Sequence, residues 1–86
     1  MRCEYDENKS LSNKQKHGID FEEAKAVWSD DRLLEIKTLF SLEERYINIG
    51  KIHNKFYTVV ITYRGESIRI VSARKSRKKE IELYES

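Results

Sequence analysis

The chain has 86 residues, 37% charged and 38% hydrophobic, a length that suits one small domain burying a little over ~60% of its unfolded surface and excludes a second core of similar size. Its single cysteine, Cys3, excludes an internal disulfide framework and fits a reducing compartment. No apolar run approaches the ~20 residues of a membrane span and the start MRCEYDENK lacks a signal-peptide core, so the cytoplasm is the expected location and no membrane partner is expected.

Arg2 to Tyr5 reads as a short first strand, with Cys3 as a small core residue. Asp6 then caps a helix from Glu7 to His17, and Gly18 stops it. Leu11 is its one strongly apolar residue, so most of this helix should be wet. Its last turn carries Lys14, Lys16 and His17, which suits the negative end of the helix dipole. For His17 that capping role is favoured over a ligand or a proton shuttle.

Asp20 and Glu23 have capping-box spacing and start a second helix, with Phe21, Ala24, Val27 and Trp28 on one face. Trp28 reads as a core anchor, and Ser29, Asp30 and Asp31 as the closing turn. Leu33 to Lys37 reads as strand, and Thr38 to Glu44 as a connection whose Leu39, Phe40 and Leu42 tuck under the sheet. Arg45 to Ile52 alternates as a strand, His53 and Asn54 form a two-residue hairpin turn, and Phe56 to Tyr63 is β-branched and aromatic enough for a central strand covered on both faces. Arg64, Gly65 and Glu66 turn the chain into Ser67 to Ala73, and Ser76 to Glu85 fits a closing helix with Arg77, Ile81 and Tyr84 on one side. The order gives an α+β class: a short N-terminal strand, two helices, an antiparallel β-sheet and a C-terminal helix.

The net charge of +2 is unevenly spread: residues 20–44 carry 8 acidic and 3 basic side chains, residues 45–86 carry 4 and 10, and a basic half suits a polyanionic partner. The stretch Ser67 to Lys79, SIRIVSARKSRKK, delivers Arg74, Lys75, Arg77, Lys78 and Lys79 into a helix start, where exposed amides already favour negative charge. Phosphate would answer that excess. The chain has no glycine-rich phosphate loop, no Cys/His cluster and only two histidines, and its middle carboxylates read as helix-surface and turn residues. A zinc site, a Ser-His-Asp triad and an acid-cluster metal nuclease are therefore disfavoured, and no cofactor is expected.

RNA carries its own nucleophile, the 2′-hydroxyl, so its cleavage needs a positioned backbone, stabilisation of the phosphorane charge and modest proton transfer. Arg69, Arg74, Lys75, Arg77, Lys78 and Lys79 could bracket one phosphate, and Arg45 could join if its strand neighbours Ser67 to Ala73. His17, Glu80 and Tyr84 are the candidates for proton transfer. A charge run is more often a solvated face, and Glu80 and Glu82 could simply pair with Lys78 or Lys79. The residues thus leave open a ribonuclease, a non-catalytic nucleic-acid-binding module, or a protein-interaction domain with a basic docking face.

One further pattern is Asp6, Lys9, Asn13, the run Lys16-His17-Gly18-Ile19 and Phe21-Glu22-Glu23-Ala24, then Glu44-Arg45, Gly50, VVITYRG, IRIVSARKS and Tyr84-Glu85. In these residues the chain resembles the BrnT toxins of bacterial type II toxin-antitoxin systems over nearly its whole length. The resemblance implies a RelE-like ribonuclease domain spanning residues 1–86, and toxic RNA cleavage that stops translation. It also implies a cognate BrnA-like antitoxin with a ribbon-helix-helix domain, and promoter DNA bound only through the toxin-antitoxin complex. The family's basic residues map onto Arg45, Arg69, Arg74 and Lys75, and its lysine-histidine pair onto Lys16 and His17. Arg77, Lys78 and Lys79, with Lys16, are then supporting charge for RNA. Tyr5 stands where many members have tryptophan.

Overall fold

The computed structural model describes residues 2–40 and 43–86, the side chains of residues 39 and 40 apart. Strand β1 (Arg2–Glu4) is followed by helix α1 (Glu7–His17), helix α2 (Phe21–Ala24) and a 3-10 turn (Lys25–Ser29). Four strands then run in sequence, β2 (Leu34–Phe40), β3 (Glu43–Ile52), β4 (Lys55–Arg64) and β5 (Ser67–Lys75), before helix α3 (Lys78–Glu85). The five strands form one sheet in the order β1-β5-β4-β3-β2, antiparallel except for the parallel pair β1/β5. The expected α+β order holds, and β1 adds the one parallel edge that its four-residue signal could not specify.

Local chemistry explains the helix ends. The Asp6 carboxylate accepts from the Asn8 and Lys9 amides, and Gly18 closes α1 at φ 76, a left-handed conformation natural to glycine. Asp20 and Glu23 form the expected capping box. The second helix is shorter than its pattern suggested, because after one α turn it tightens into 3-10 geometry. His53 and Asn54 turn the β3–β4 hairpin at φ 50 and 65.

The Thr38–Glu44 connection is corrected. Thr38 to Phe40 continue β2, pairing with Arg45, Glu44 and Glu43 of β3, and the Thr38 hydroxyl donates to the Arg45 carbonyl at 3.2 Å. The expected tucking of Leu39, Phe40 and Leu42 falls outside the described side chains. The last helix starts later than Ser76, since Ser76 still donates its amide to the Phe56 carbonyl at 3.0 Å as an extension of the β4/β5 ladder.

Ile19, Phe21, Ala24 and Val27 pack onto Val59, Ile61, Ile70 and Ala73 on one sheet face, all at most 3% exposed. Cys3 and Trp28 lie against this core, and burial pushes the Cys3 thiol pKa up, as suits a packing residue. The Trp28 indole N–H donates to Asn48 Oδ1 at 3.2 Å. Tyr5 packs edge-on against Phe21, with ring centroids 5.7 Å apart, and donates to Glu22 at 2.8 Å. Gly50 makes the close approach possible: a Cβ there would stand 2.5 Å from Val27 Cγ2.

Candidate nucleic-acid interface

The second sheet face carries the basic residues. Thr58 and Thr62 lie four apart on β4, so both point the same way, and they stand opposite Arg74 and Arg69 of β5 respectively. The two arginines are five positions apart, and in a regular strand they would face opposite sides. An irregularity resolves this: Val60 pairs with Ser72 while Ile61 pairs with Ile70, so Val71 is an extra residue on β5. The bulge puts Arg69, Ser72 and Arg74 on one face and leaves Ile68, Ile70 and Ala73 against the core.

Arg45 reaches the same face by another route. Its strand does not neighbour Ser67 to Ala73, because β4 lies between. The β3/β4 register nevertheless sets Arg45 beside Thr62, which is opposite Arg69. Arg45 and Arg69 thus flank a short side chain across three strands, with backbones ~10 Å apart. Carboxylates sit loosely by each, Glu43 at 3.6 Å from Arg45 and Glu4 at 3.7 Å from Arg69.

Arg74 is held differently. Its guanidinium meets Glu80 in a two-pronged pair, Nη1–Oε1 2.7 Å and Nη2–Oε2 2.8 Å, with side chains only 22% and 12% exposed. Glu80 also accepts from the Thr58 hydroxyl at 3.0 Å and the Arg77 amide at 2.7 Å. It therefore pins the first turn of α3 to the sheet, and its ion-pair partner is Arg74 and not the Lys78 or Lys79 of the alternative reading. The Arg74 hydrogen bonds hold its carboxyl down to about 2, against an ordinary value of 4.5. A carboxyl depressed on folding stabilises above its unfolded pKa and loses that stabilisation as pH falls through its folded one. Stability is accordingly expected to drop between pH 4.5 and about 2. In an acid titration followed by circular dichroism, Glu80→Gln should flatten that limb, and an unchanged limb would mean the pair contributes nothing.

The remaining residues scatter. Lys75 follows Arg74 but stands opposite Tyr57 on the core side, exposed. Arg77, Lys78 and Lys79 are exposed at the start of α3. Tyr84 donates to Asp30 at 2.6 Å and stacks edge-on against Phe56 at 5.3 Å. Since Phe56 is six residues from Thr62 along β4, Tyr84 sits ~20 Å from the Arg45/Arg69 row.

Lys16 and His17 lie at the free edge of β5. Lys9, Ser12, Lys16 and His17 of α1 share a cleft of about 230 Å³ with Val71 and Ser72. That edge is open to them because β1 pairs only with Ser67, Ile68 and Arg69. Further along, Asn13 replaces the missing strand: its Nδ2 donates to the Ala73 and Ile19 carbonyls at 2.8 and 2.7 Å, and its Oδ1 accepts from the Ala73 amide at 3.3 Å. Ser72 links the two groups, facing between Arg69 and Arg74 on the sheet and lining the α1 cleft. Sequence reasoning passed over Ser72 and Lys9. The signal available for Ser72 was the broken alternation Ile68, Ile70, Ala73, which announces a bulge.

The geometry offers guanidinium groups on an open sheet face and an imidazole and ammonium groups at its edge, donors suited to phosphate. Among the described residues no three His, Cys, Asp or Glu side chains group as metal ligands, and no helix is long and apolar enough to cross a membrane. No curated protein matches the chain. The family model described as "Ribonuclease toxin, BrnT, of type II toxin-antitoxin system" matches residues 5–80. With that match over most of its length, the chain belongs to the BrnT family of ribonuclease toxins of type II toxin-antitoxin systems.

Proposed function

We propose that this toxin is a cytoplasmic endoribonuclease that cuts RNA without a divalent metal and thereby stops translation. The observation that carries the reading is Ser72, common to the face bearing Arg69 and Arg74 and to the cleft bearing Lys16 and His17. RNA drawn over the β5 edge meets both sets. The 2′-oxygen attacks phosphorus, the bond to the 5′-oxygen breaks, and the products are a 2′,3′-cyclic phosphate and a 5′-hydroxyl. Arg69, with Arg45 across Thr62, neutralises the phosphorane charge, for which guanidinium forks are suited. His17 is the group proposed to move the proton, since imidazole both accepts and donates.

Glu80 and Tyr84 are assigned structural tasks instead. Glu80 is saturated by Arg74, Thr58 and the Arg77 amide, and Tyr84 is tied to Asp30 on another part of the fold. Lys16, Arg77, Lys78 and Lys79 add attraction for the RNA backbone, and the exposed Lys75 does so from the opposite face.

The partner proposed is a BrnA-like antitoxin with a ribbon-helix-helix domain, through which alone the complex would meet promoter DNA. An acidic antitoxin segment lying over Arg45 and Arg69 would block RNA by occupancy. The test uses toxin freed of antitoxin and a labelled RNA in excess EDTA. Cleavage leaving cyclic phosphate ends is expected. A requirement for added Mg²⁺ would sink the mechanism, and RNA bound but left intact would make the chain a binding module only.

A further inference from the structure

The opposite edge of the sheet suits a second copy of this chain. β2 pairs with β3 without interruption from Leu34↔Ile49 to Phe40↔Glu43 and ends the strand order, so its outer backbone N–H and C=O groups pair with no strand of the described residues. Such an edge is a template for another strand, and proteins usually blunt it with proline, a bulge or a lysine. β2 has no proline, and its guard is Lys37, with Glu35 two residues away on the same face.

We infer that two copies of the toxin pair antiparallel through β2, centred on Ile36, to form one continuous ten-stranded sheet. In that register Ile36 meets itself, Glu35 stands directly opposite the second copy's Lys37, and Lys37 opposite its Glu35. The two charge pairs are identical by the two-fold axis, as a self-complementary interface requires. Opposite charges directly across a ladder are stabilising, so the residue that guards the edge against other strands is matched by this one. Moving the centre to Glu35 or Lys37 sets like charges against each other and is disfavoured. In the single copy both side chains lean inward, Glu35 Oε2 accepting from the Tyr63 hydroxyl at 2.7 Å and from Asn48 at 3.2 Å and Lys37 meeting Glu44 at 3.2 Å. The cross-copy pairs therefore form by sharing or exchanging these exposed partners, which adds to the weakness of the contact.

The other face agrees. Ile36, Ile47 and Val60 stand in one cross-strand row over β2, β3 and β4, each half-buried. Pairing through Ile36 joins this row to its copy and makes a single apolar band across both molecules. Contact through one strand is small, so the dimer is expected to be weak and reversible.

Sedimentation equilibrium of antitoxin-free toxin should show a monomer–dimer equilibrium as its concentration rises to ~1 mM, where even a millimolar Kd is visible. Lys37→Glu should weaken dimerisation about tenfold by turning both pairs repulsive, and Glu35→Lys added to it should restore the dimer. Because Lys37→Glu also removes the ion pair with Glu44, and Glu35→Lys the Tyr63 and Asn48 contacts, hydrogen exchange on the unmodified protein gives a second reading. The outward amides of Leu34 to Thr38 should gain protection as concentration rises. A monomer at ~1 mM, a dimer indifferent to Lys37→Glu, or β2 amides protected only when antitoxin is added would overturn the proposal. The last result would give this edge to the antitoxin.

Discussion

Arg69→Ala is expected to lower RNA cleavage by about 10²–10³-fold while leaving the unfolding temperature nearly unchanged. The activity loss follows from the proposed role: removing one preorganised donor to the developing phosphorane charge typically has this effect on a reaction built on electrostatic stabilisation. The small effect on stability follows from the geometry. Arg69 is a half-buried surface strand residue whose ion pair with Glu4 spans 3.7 Å with a partner 46% exposed, and such exposed pairs contribute little. Arg69→Lys should recover only part of the loss, because an ammonium keeps the charge but not the fork. Gel-based cleavage rates in EDTA together with calorimetry check both halves, and full activity in Arg69→Ala would remove this residue from the site. Arg74→Ala is a less clean test, since it strands the largely buried Glu80 carboxylate and so couples activity to stability.

Asn13→Ala should destabilise the fold by about 3 kcal/mol, a fall in unfolding temperature of roughly 15 °C for a domain of this size. Asn13 is only 7% exposed. Its side chain satisfies the amide and carbonyl of Ala73 and the carbonyl of Ile19. Without it these groups lose their partner in a site closed by α1, and an unsatisfied buried polar group carries its full desolvation penalty. Asn13→Asp should lose nearly as much, because a carboxylate cannot donate to the two carbonyls. Thermal unfolding of the three proteins, with urea titration for the free energies, checks this. A shift of only a few degrees for Asn13→Ala would mean that water reaches the β5 edge and takes over the bonds. The position also bears on function, since the same bonds hold α1, with Lys16 and His17, against the strand that carries Arg69 and Arg74.

Much of the molecule was legible from the chain alone, and the reason is local. Asp6 and Gly18, Asp20 with Glu23, and His53-Asn54 act within three or four residues of themselves, so their caps and turn follow from the sequence wherever the rest of the chain goes. The α+β order and the apolar faces of Phe21, Ala24 and Val27 rest on periodicity, which is also local. The basic stretch after Ser67 and the family likeness were readable for the same reason, as residues close together in order.

Tertiary structure alone decided how those cations are used. Whether Arg69 and Arg74 share a face depends on one extra residue, Val71, and a bulge exists only when a partner strand defines the register. Arg45 stands near Arg69 because β4 inserts between their strands with the small Thr62, and no pattern within either strand contains that fact. Glu80 found Arg74 instead of Lys78 or Lys79 because α3 docks on the sheet with its first turn over Thr58. Thus the sequence determined the caps, the elements and the sign of the charge. Strand order, register and one bulge decided which charges meet on a single face, because those are pairings between segments far apart in the chain.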